Sequence, residues 1–148
     1  NVNVGTVVWN QCKDILSSDN INTRLVYSSD ISNNKLIPKT YNDEKKKNFI
    51  KKEGIKTPSL VVNRGFGVGA YNFNYCLIEG GFDYLIENHL ISINYIGIID
   101  DNNLIELYKK IIQSFEDPRT KEFVKIYCGN NALNTTELEN ILPIYQDI

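Results

Sequence analysis

The stretch that most constrains this chain runs from Thr57 to Leu77 and reads TPSLVVNRGFGVGAYNFNYCL. Behind Pro58, Leu60, Val61 and Val62 form a short apolar run. After a centre punctuated by Gly65, Gly67 and Gly69, Tyr71, Phe73 and Tyr75 alternate with Asn72, Asn74 and Cys76. A period of two is that of a strand, so the spacing predicts a long hairpin whose tip presents Arg64, side-chain amides and aromatic rings together. Three glycines after a strand can instead cradle a phosphate. That chemistry needs a helix immediately afterwards, with its N-terminal amides aimed at the anion. A strand pattern follows here, which argues against a dinucleotide or S-adenosylmethionine loop.

At 148 residues the chain fits one domain, long enough to bury about two-thirds of its unfolded surface. It begins at Asn1 and contains no methionine, so it is expected to be a piece of a longer chain. No apolar run reaches the roughly 18 residues that span a bilayer, and no basic-then-apolar leader opens the sequence; the chain reads as soluble. Cys12, Cys76 and Cys128 lie far apart, and His89 is the single histidine, which argues for a reducing compartment and against a zinc site. The wealth of Asn, Ile and Lys reads as codon bias of an AT-rich genome.

A net charge of −2 hides an asymmetry. From Asn1 to Arg64 there are 11 basic residues against 6 acidic ones; from Gly65 to Ile148 there are 5 against 12. A polyanion can meet the first half while the second faces solvent or a partner domain. Uneven solvated faces give the same count without any partner.

Along the chain, Val2, Val4, Val7 and Val8 predict an opening strand that ends at Trp9, with Asn10 as cap of a short helix over Gln11 to Ser17. Arg24 to Tyr27 reads as a second strand closed by Ser28, Ser29 and Asp30. Residues Ile31 to Pro38 show no strong period. Thr40 to Gly54 places Asp43 and Glu44 before Lys45, Lys46, Lys47, Lys51 and Lys52, the order a helix macrodipole prefers, and is read as a possible helix with a narrow apolar face. Gly80 and Gly81 mark a turn, and Tyr84 to Ile99 carries one or two core strands. Leu104, Leu107, Tyr108, Ile111, Ile112 and Phe115 recur at helical spacing, predicting a helix over Asn103 to Phe115. Asp117-Pro118 starts a second helix that Gly129 stops. Asn134 with Glu137 forms a capping box opening a third, halted before Pro143. Strands come first and helices last. That order predicts an α+β fold with a mixed or antiparallel sheet in the first two-thirds and a C-terminal cluster of short helices.

Few residues suggest self-contained catalysis. Glu87 and His89 would share a strand face, so Glu87 can orient the imidazole; a hydrogen-bonded structural histidine is the commoner case, and no nucleophile stands nearby. Asp100 and Asp101 are more simply helix caps. Trp9 and Asn10 are explained by core packing and capping before base contact is invoked, although side-chain amides can bond adenine edges. Arg64 differs, because a glycine-rich tip is a poor place for a structural ion pair and its fork suits phosphate or guanine.

Several strings together resemble the target recognition domain of adenine-N6 DNA methyltransferases from restriction-modification systems. They are GTVVWNQCKDIL from Gly5, RLVYSSDI from Arg24, NRGFGVGAYNFNYCLIEG from Asn63, IENHLISI from Ile86 and NALNTTELENILPIY from Asn131. The resemblance implies a single DNA-recognition domain over residues 1–148, lying C-terminal to a catalytic domain outside this sequence. It implies double-stranded DNA and that upstream domain as partners, a cytoplasmic prokaryotic setting, and neither metal nor membrane. Methyl transfer and S-adenosylmethionine would belong to the upstream part, since no Asn/Asp-Pro-Pro-Tyr/Phe sequence occurs here. The DNA-facing set it implies is Arg64, Gly65, Phe66, Tyr71, Asn72 and Asn74 from the hairpin, Trp9, Asn10, Gln11 and Lys13 from the opening unit, and Lys45, Lys46 and Lys47. Phosphate contacts would set register while amides and Arg64 reach base edges. The rivals are a protein-interaction module using the acidic helical third, a small enzyme using Glu87 and His89, and a specificity subunit of a multisubunit methyltransferase.

Overall fold

The computed structural model describes residues 1–41, 46–64 and 74–128, together with 138 and 144. Ten strands and two helices appear in the order expected of an α+β chain: β1 (Val2–Val4), β2 (Leu16–Ser17), β3 (Thr23–Val26), β4 (Ile31–Ser32), β5 (Lys35–Leu36), β6 (Phe49–Ile50), β7 (Ser59–Asn63), β8 (Tyr75–Ile78), β9 (Tyr84–Ile86), β10 (Leu90–Ile93), α1 (Asp101–Glu116) and α2 (Pro118–Cys128). One sheet is antiparallel in the order β1-β10-β7-β8. The other has the order β2-β6-β3-β9 and is mixed, because β3 and β9 run parallel.

Strand alternation stacks these elements in layers. On β7, Leu60 and Val62 turn toward the helices with Tyr75 and Ile91, packing against Leu104, Tyr108, Phe115 and Val124. Val61, between them, turns the other way with Cys76, Ile78 and Leu90, meeting Val26, Tyr84 and Ile86 of the second sheet. The far face of that sheet carries Leu16, Leu25 and Ile50, with Tyr27 just past β3, and packs with Val7 and Trp9. So β7 is buried on both faces, which is why Leu60-Val61-Val62 reads as a continuous apolar run and not as an alternation. Its antiparallel pairing with β8, Val62 opposite Tyr75 and Ser59 opposite Ile78, bears out the predicted hairpin; the tip, from Gly65 to Phe73, lies outside the described residues.

The helices follow their caps. The Asp100 carboxylate accepts from the Asn103 main-chain N at 3.0 Å, opening α1 where the aspartates predicted a cap. At the junction, Arg119 bonds Asp117 twice from its side chain and once from its backbone. These bonds hold the Asp117 carboxyl down at about 2 from an ordinary 3.8. Its contribution to the folded state is therefore present above about pH 4 and fades as pH falls toward 2. The stop at Gly129 and the third helix lie outside the described residues.

Two expected helices are corrected. Gln11 to Ser17 holds 3₁₀ turns at Trp9–Gln11 and Lys13–Ile15 followed by β2, and Asn10 caps nothing with its side chain. Pairing of Leu16 with Ile50 buries both, a gain that a two-turn isolated helix cannot match. Likewise the described part of the lysine-rich segment is extended, since Ile50 also pairs with Thr23 across β3. A tertiary pairing overrides charge order along a helix whose apolar face was too narrow to hold it. In the stretch without a period, β4 and β5 form a hairpin through Asn33 and Asn34, whose φ values of 52° and 58° suit asparagine in a tight turn. It lies along β8, with the Asn34 side-chain oxygen accepting from Tyr75 N at 3.3 Å.

Cys76, fully buried between the sheets, has its thiol pushed up to about 12, first by burial and then by the Asp30 charge. With Cys12→Ser and Cys128→Ser in place, Cys76 in the folded chain at pH 8 should react with a disulfide reagent at least roughly a thousandfold more slowly than in urea, because the thiolate is the nucleophile. Comparable rates folded and unfolded would contradict this burial.

Candidate functional site

The chain passes from the second sheet to the first through a tight corner, Glu87-Asn88-His89, between β9 and β10. Glu87 N donates to Val26 O at 3.0 Å and Asn88 N donates to Val7 O at 2.8 Å, while Leu90 N closes back on Glu87 O at 3.0 Å. The Glu87 side chain is 1% exposed, and its Oε2 accepts from His89 N at 3.0 Å and lies 2.6 Å from His89 Nδ1. Glu87 thus orients the imidazole as the sequence suggests, within a turn and not along a strand. Glu87 Oε1 and Asn88 Oδ1 are buried and have no hydrogen-bond partner among the described residues.

Arg64 is set on this corner. As β7 ends, Arg64 N donates to His89 O at 3.0 Å, and its Nη1 donates to Asn88 O at 3.2 Å. The residue is half-buried, so its stem is packed while a guanidinium offers more donors than this one bond uses. Asn74 is also half-buried, and its carbonyl accepts from Asn63 N at 2.8 Å, one step inside Arg64 on the same ladder.

Two further groups lie on segments joined to the corner through Val7 and Val26. Val7 pairs with Glu87 in a parallel bridge, so the turn carrying Trp9, Asn10 and Gln11 begins just past the corner. Asn10, Gln11 and Lys13 are exposed and Trp9 is half-buried, with Lys13 Nζ 5.9 Å from the Trp9 ring centre. Beyond β3, the Lys46 ammonium lies 4.4 Å from the ring centres of both Tyr27 and Tyr41. Each such contact is worth roughly 0.5–2 kcal/mol, more than a typical exposed ion pair, so Lys46 is held on the rings. Lys47 O accepts from the Tyr27 hydroxyl at 2.7 Å. Burial first, then Tyr41, Glu87 and Asp30, push the Tyr27 phenol upward; the Tyr41 phenol is pushed up to about 12, chiefly by burial.

Asp30 anchors that cluster, and sequence reasoning took it only as the close of a strand. It is 1% exposed, and its carboxylate accepts from Tyr27 N at 2.8 Å, Lys39 N at 2.9 Å and the Tyr41 hydroxyl at 3.0 Å; Ser29 Oγ also bonds Tyr41. The signal available was an aspartate three residues after a strand-ending tyrosine, a turn-closing arrangement.

Of the sequence-predicted residues, Arg64 is bonded to this corner and Asn74 to the ladder step before it, Trp9, Asn10, Gln11 and Lys13 follow the Val7 bridge in the chain, and Lys46 and Lys47 lie against Tyr27. Lys45, Gly65, Phe66, Tyr71 and Asn72 lie outside the described residues. A cavity of about 250 Å³ lined by Arg24, Val26, Asp30, Leu36, Pro38 and Phe82, and a groove of about 400 Å³ between β10 and α1, both leave Arg64, Glu87 and His89 unlined. Around the corner, the described Arg64, Asn74 and His89 are each half-buried. Among the described residues no three of His, Cys, Asp and Glu are grouped to hold a metal ion, and no helix is long and apolar enough to cross a membrane.

No protein-family model and no solved structure match the chain. Over 88 residues, 59% of its length, it is 30% identical to the Type II methyltransferase M.CvrRI of Paramecium bursaria Chlorella virus XZ-6E. The chain is thus related over that stretch to a type II methyltransferase, and the stretch spans about a fifth (20%) of that protein's length.

Gly5 sets how closely the opening strand approaches the corner: its N donates to Leu90 O at 2.8 Å, and a Cβ there would run into the carbonyls of Ile86 and Glu87. Gly5→Ala should lower unfolding stability by about 1–3 kcal/mol, the range of a backbone overpacking defect, in urea titration. A midpoint equal to the wild type would show that the strand and corner are not in contact.

Proposed function

We propose that this chain is the DNA target recognition domain of an adenine-N6 DNA methyltransferase of a restriction-modification system, working in the cytoplasm of its host. In this reading residues 1–148 are one recognition unit. The catalytic domain, with S-adenosylmethionine and the methyl-transfer chemistry, belongs to the rest of the protein. The observation that carries it is the stretch shared with a type II methyltransferase. The adenine and recognition assignments rest in addition on the family-like strings around Trp9, Arg64 and His89.

The geometry supports the division of labour. The corner joins a guanidinium with unused donors to an imidazole, and the turn just past Val7, which is bridged to Glu87, exposes the amides of Asn10 and Gln11 and the cation of Lys13. Groups of this kind suit a duplex: cations and amides grip phosphates and set register, and a forked guanidinium reads guanine O6 and N7. An enzyme that modifies a base inside a duplex must also unstack it, at a few kcal/mol, and a grip on flanking base pairs helps meet that cost.

Fluorescence anisotropy of this chain with a mixed-sequence duplex pool should show affinity falling steeply between low and physiological salt, as counterions are released. Selection from a randomised duplex pool should enrich a motif, and Arg64→Ala should relax one position of it by about 1–3 kcal/mol. Absent binding, or binding indifferent to salt, would count against the proposal.

A further inference from the structure

We infer that Glu87 is a positioning residue for Arg64, acting through the Asn88–His89 turn; as a statement about DNA reading this rests on the recognition function proposed above. The Arg64 side chain bonds the Asn88 carbonyl and its main-chain N bonds the His89 carbonyl, and the turn bearing both is closed by the Glu87 carboxylate on His89 N and Nδ1. The connection runs from a buried acid to a turn to the arginine, each link at 2.6–3.2 Å.

Ion pairing with His89 by itself explains Glu87 poorly. Its side chain is 1% exposed while its partner imidazole is 36% exposed, so the charge is buried against a group that water partly screens. Its second oxygen is buried without a partner among the described residues, as is Asn88 Oδ1. A buried carboxylate so incompletely satisfied is costly, and apolar residues of similar volume often replace buried ion pairs without loss. What the carboxylate supplies that an apolar side chain cannot is two directed acceptor bonds to one residue, which set the turn and with it both carbonyls that face Arg64. A long arginine side chain otherwise loses rotamer freedom on contacting DNA, so holding it beforehand removes part of that cost.

Glu87→Gln keeps size and one acceptor while removing the charge. The folded variant should bind the short mixed-sequence duplex about tenfold more weakly, the size of one charge-assisted bond. Arg64→Ala and the Arg64→Ala/Glu87→Gln double variant should bind alike, because the effect passes through Arg64. In the DNA-free chain, the Arg64 side-chain Nε resonance should be ordered in the wild type and lose that order in Glu87→Gln by heteronuclear NOE. Additive losses in the double variant, or an Arg64 Nε equally ordered in Glu87→Gln, would overturn the inference. Should the wild type fail to bind DNA, the recognition reading falls and the DNA-free NOE alone decides the positioning role. If Glu87→Gln does not fold, His89→Ala removes the imidazole bond and leaves the main-chain one. Partial loss of Arg64 order there supports the inference, and unchanged order overturns it.

Discussion

The corner from Glu87 to His89 is the constraint on which the remaining structure depends. Here the chain leaves a mixed sheet and enters an antiparallel one, and a change of sheet within three residues leaves main-chain groups that neither ladder satisfies. They are taken up by Val26 O and Val7 O on one side and by the Glu87 carboxylate on the other. Because the same turn offers its carbonyls to Arg64, the closure that joins the sheets also sets the base of the central hairpin.

From that joint the layers follow. β7 is covered on one side by the helices and on the other by the second sheet, so its position tolerates little movement and its C-terminal end is a rigid platform. Groups that meet a partner are best carried where a rigid element gives way to a connection. Arg64 stands one residue beyond Asn63, the last residue of β7, and so has a buried strand behind it.

The polar clusters show how a basic half-chain spends its charges. Lys46 rests on Tyr27 and Tyr41, and Arg24 lies 5.0 Å from the Phe49 ring centre. Asp30 is buried among three donors. A surplus of basic residues therefore overstates the cations available at the surface, since some are held against rings. Lys13 is exposed although its Nζ lies 5.9 Å from the Trp9 ring centre, and half-buried Arg64 commits one donor to Asn88 O.

How much of this was readable in advance depended on whether the determining force was local. The alternation of Tyr71 to Cys76, the run Leu60 to Val62, the double glycine at 80 and 81, and the caps at Asp100 and Asp117 express periodicity and backbone chemistry within a few residues, and the hairpin, turn and helices they predict are present where described. Helical patterns over Gln11 to Ser17 and Thr40 to Gly54 give way, over the described residues, to short strands that exist only through pairing, Ile50 with both Leu16 and Thr23. Asn33-Asn34 carried a turn signal that the flanking residues were too short to frame. By itself, then, the sequence determined an α+β order and singled out Arg64, Trp9 and His89 as groups to watch. Only the tertiary structure decided that Glu87, His89 and Arg64 form one connected corner, because the hydrogen bonds that join them cross between strands distant in the chain, and no local pattern encodes a contact between β7 and the turn after β9.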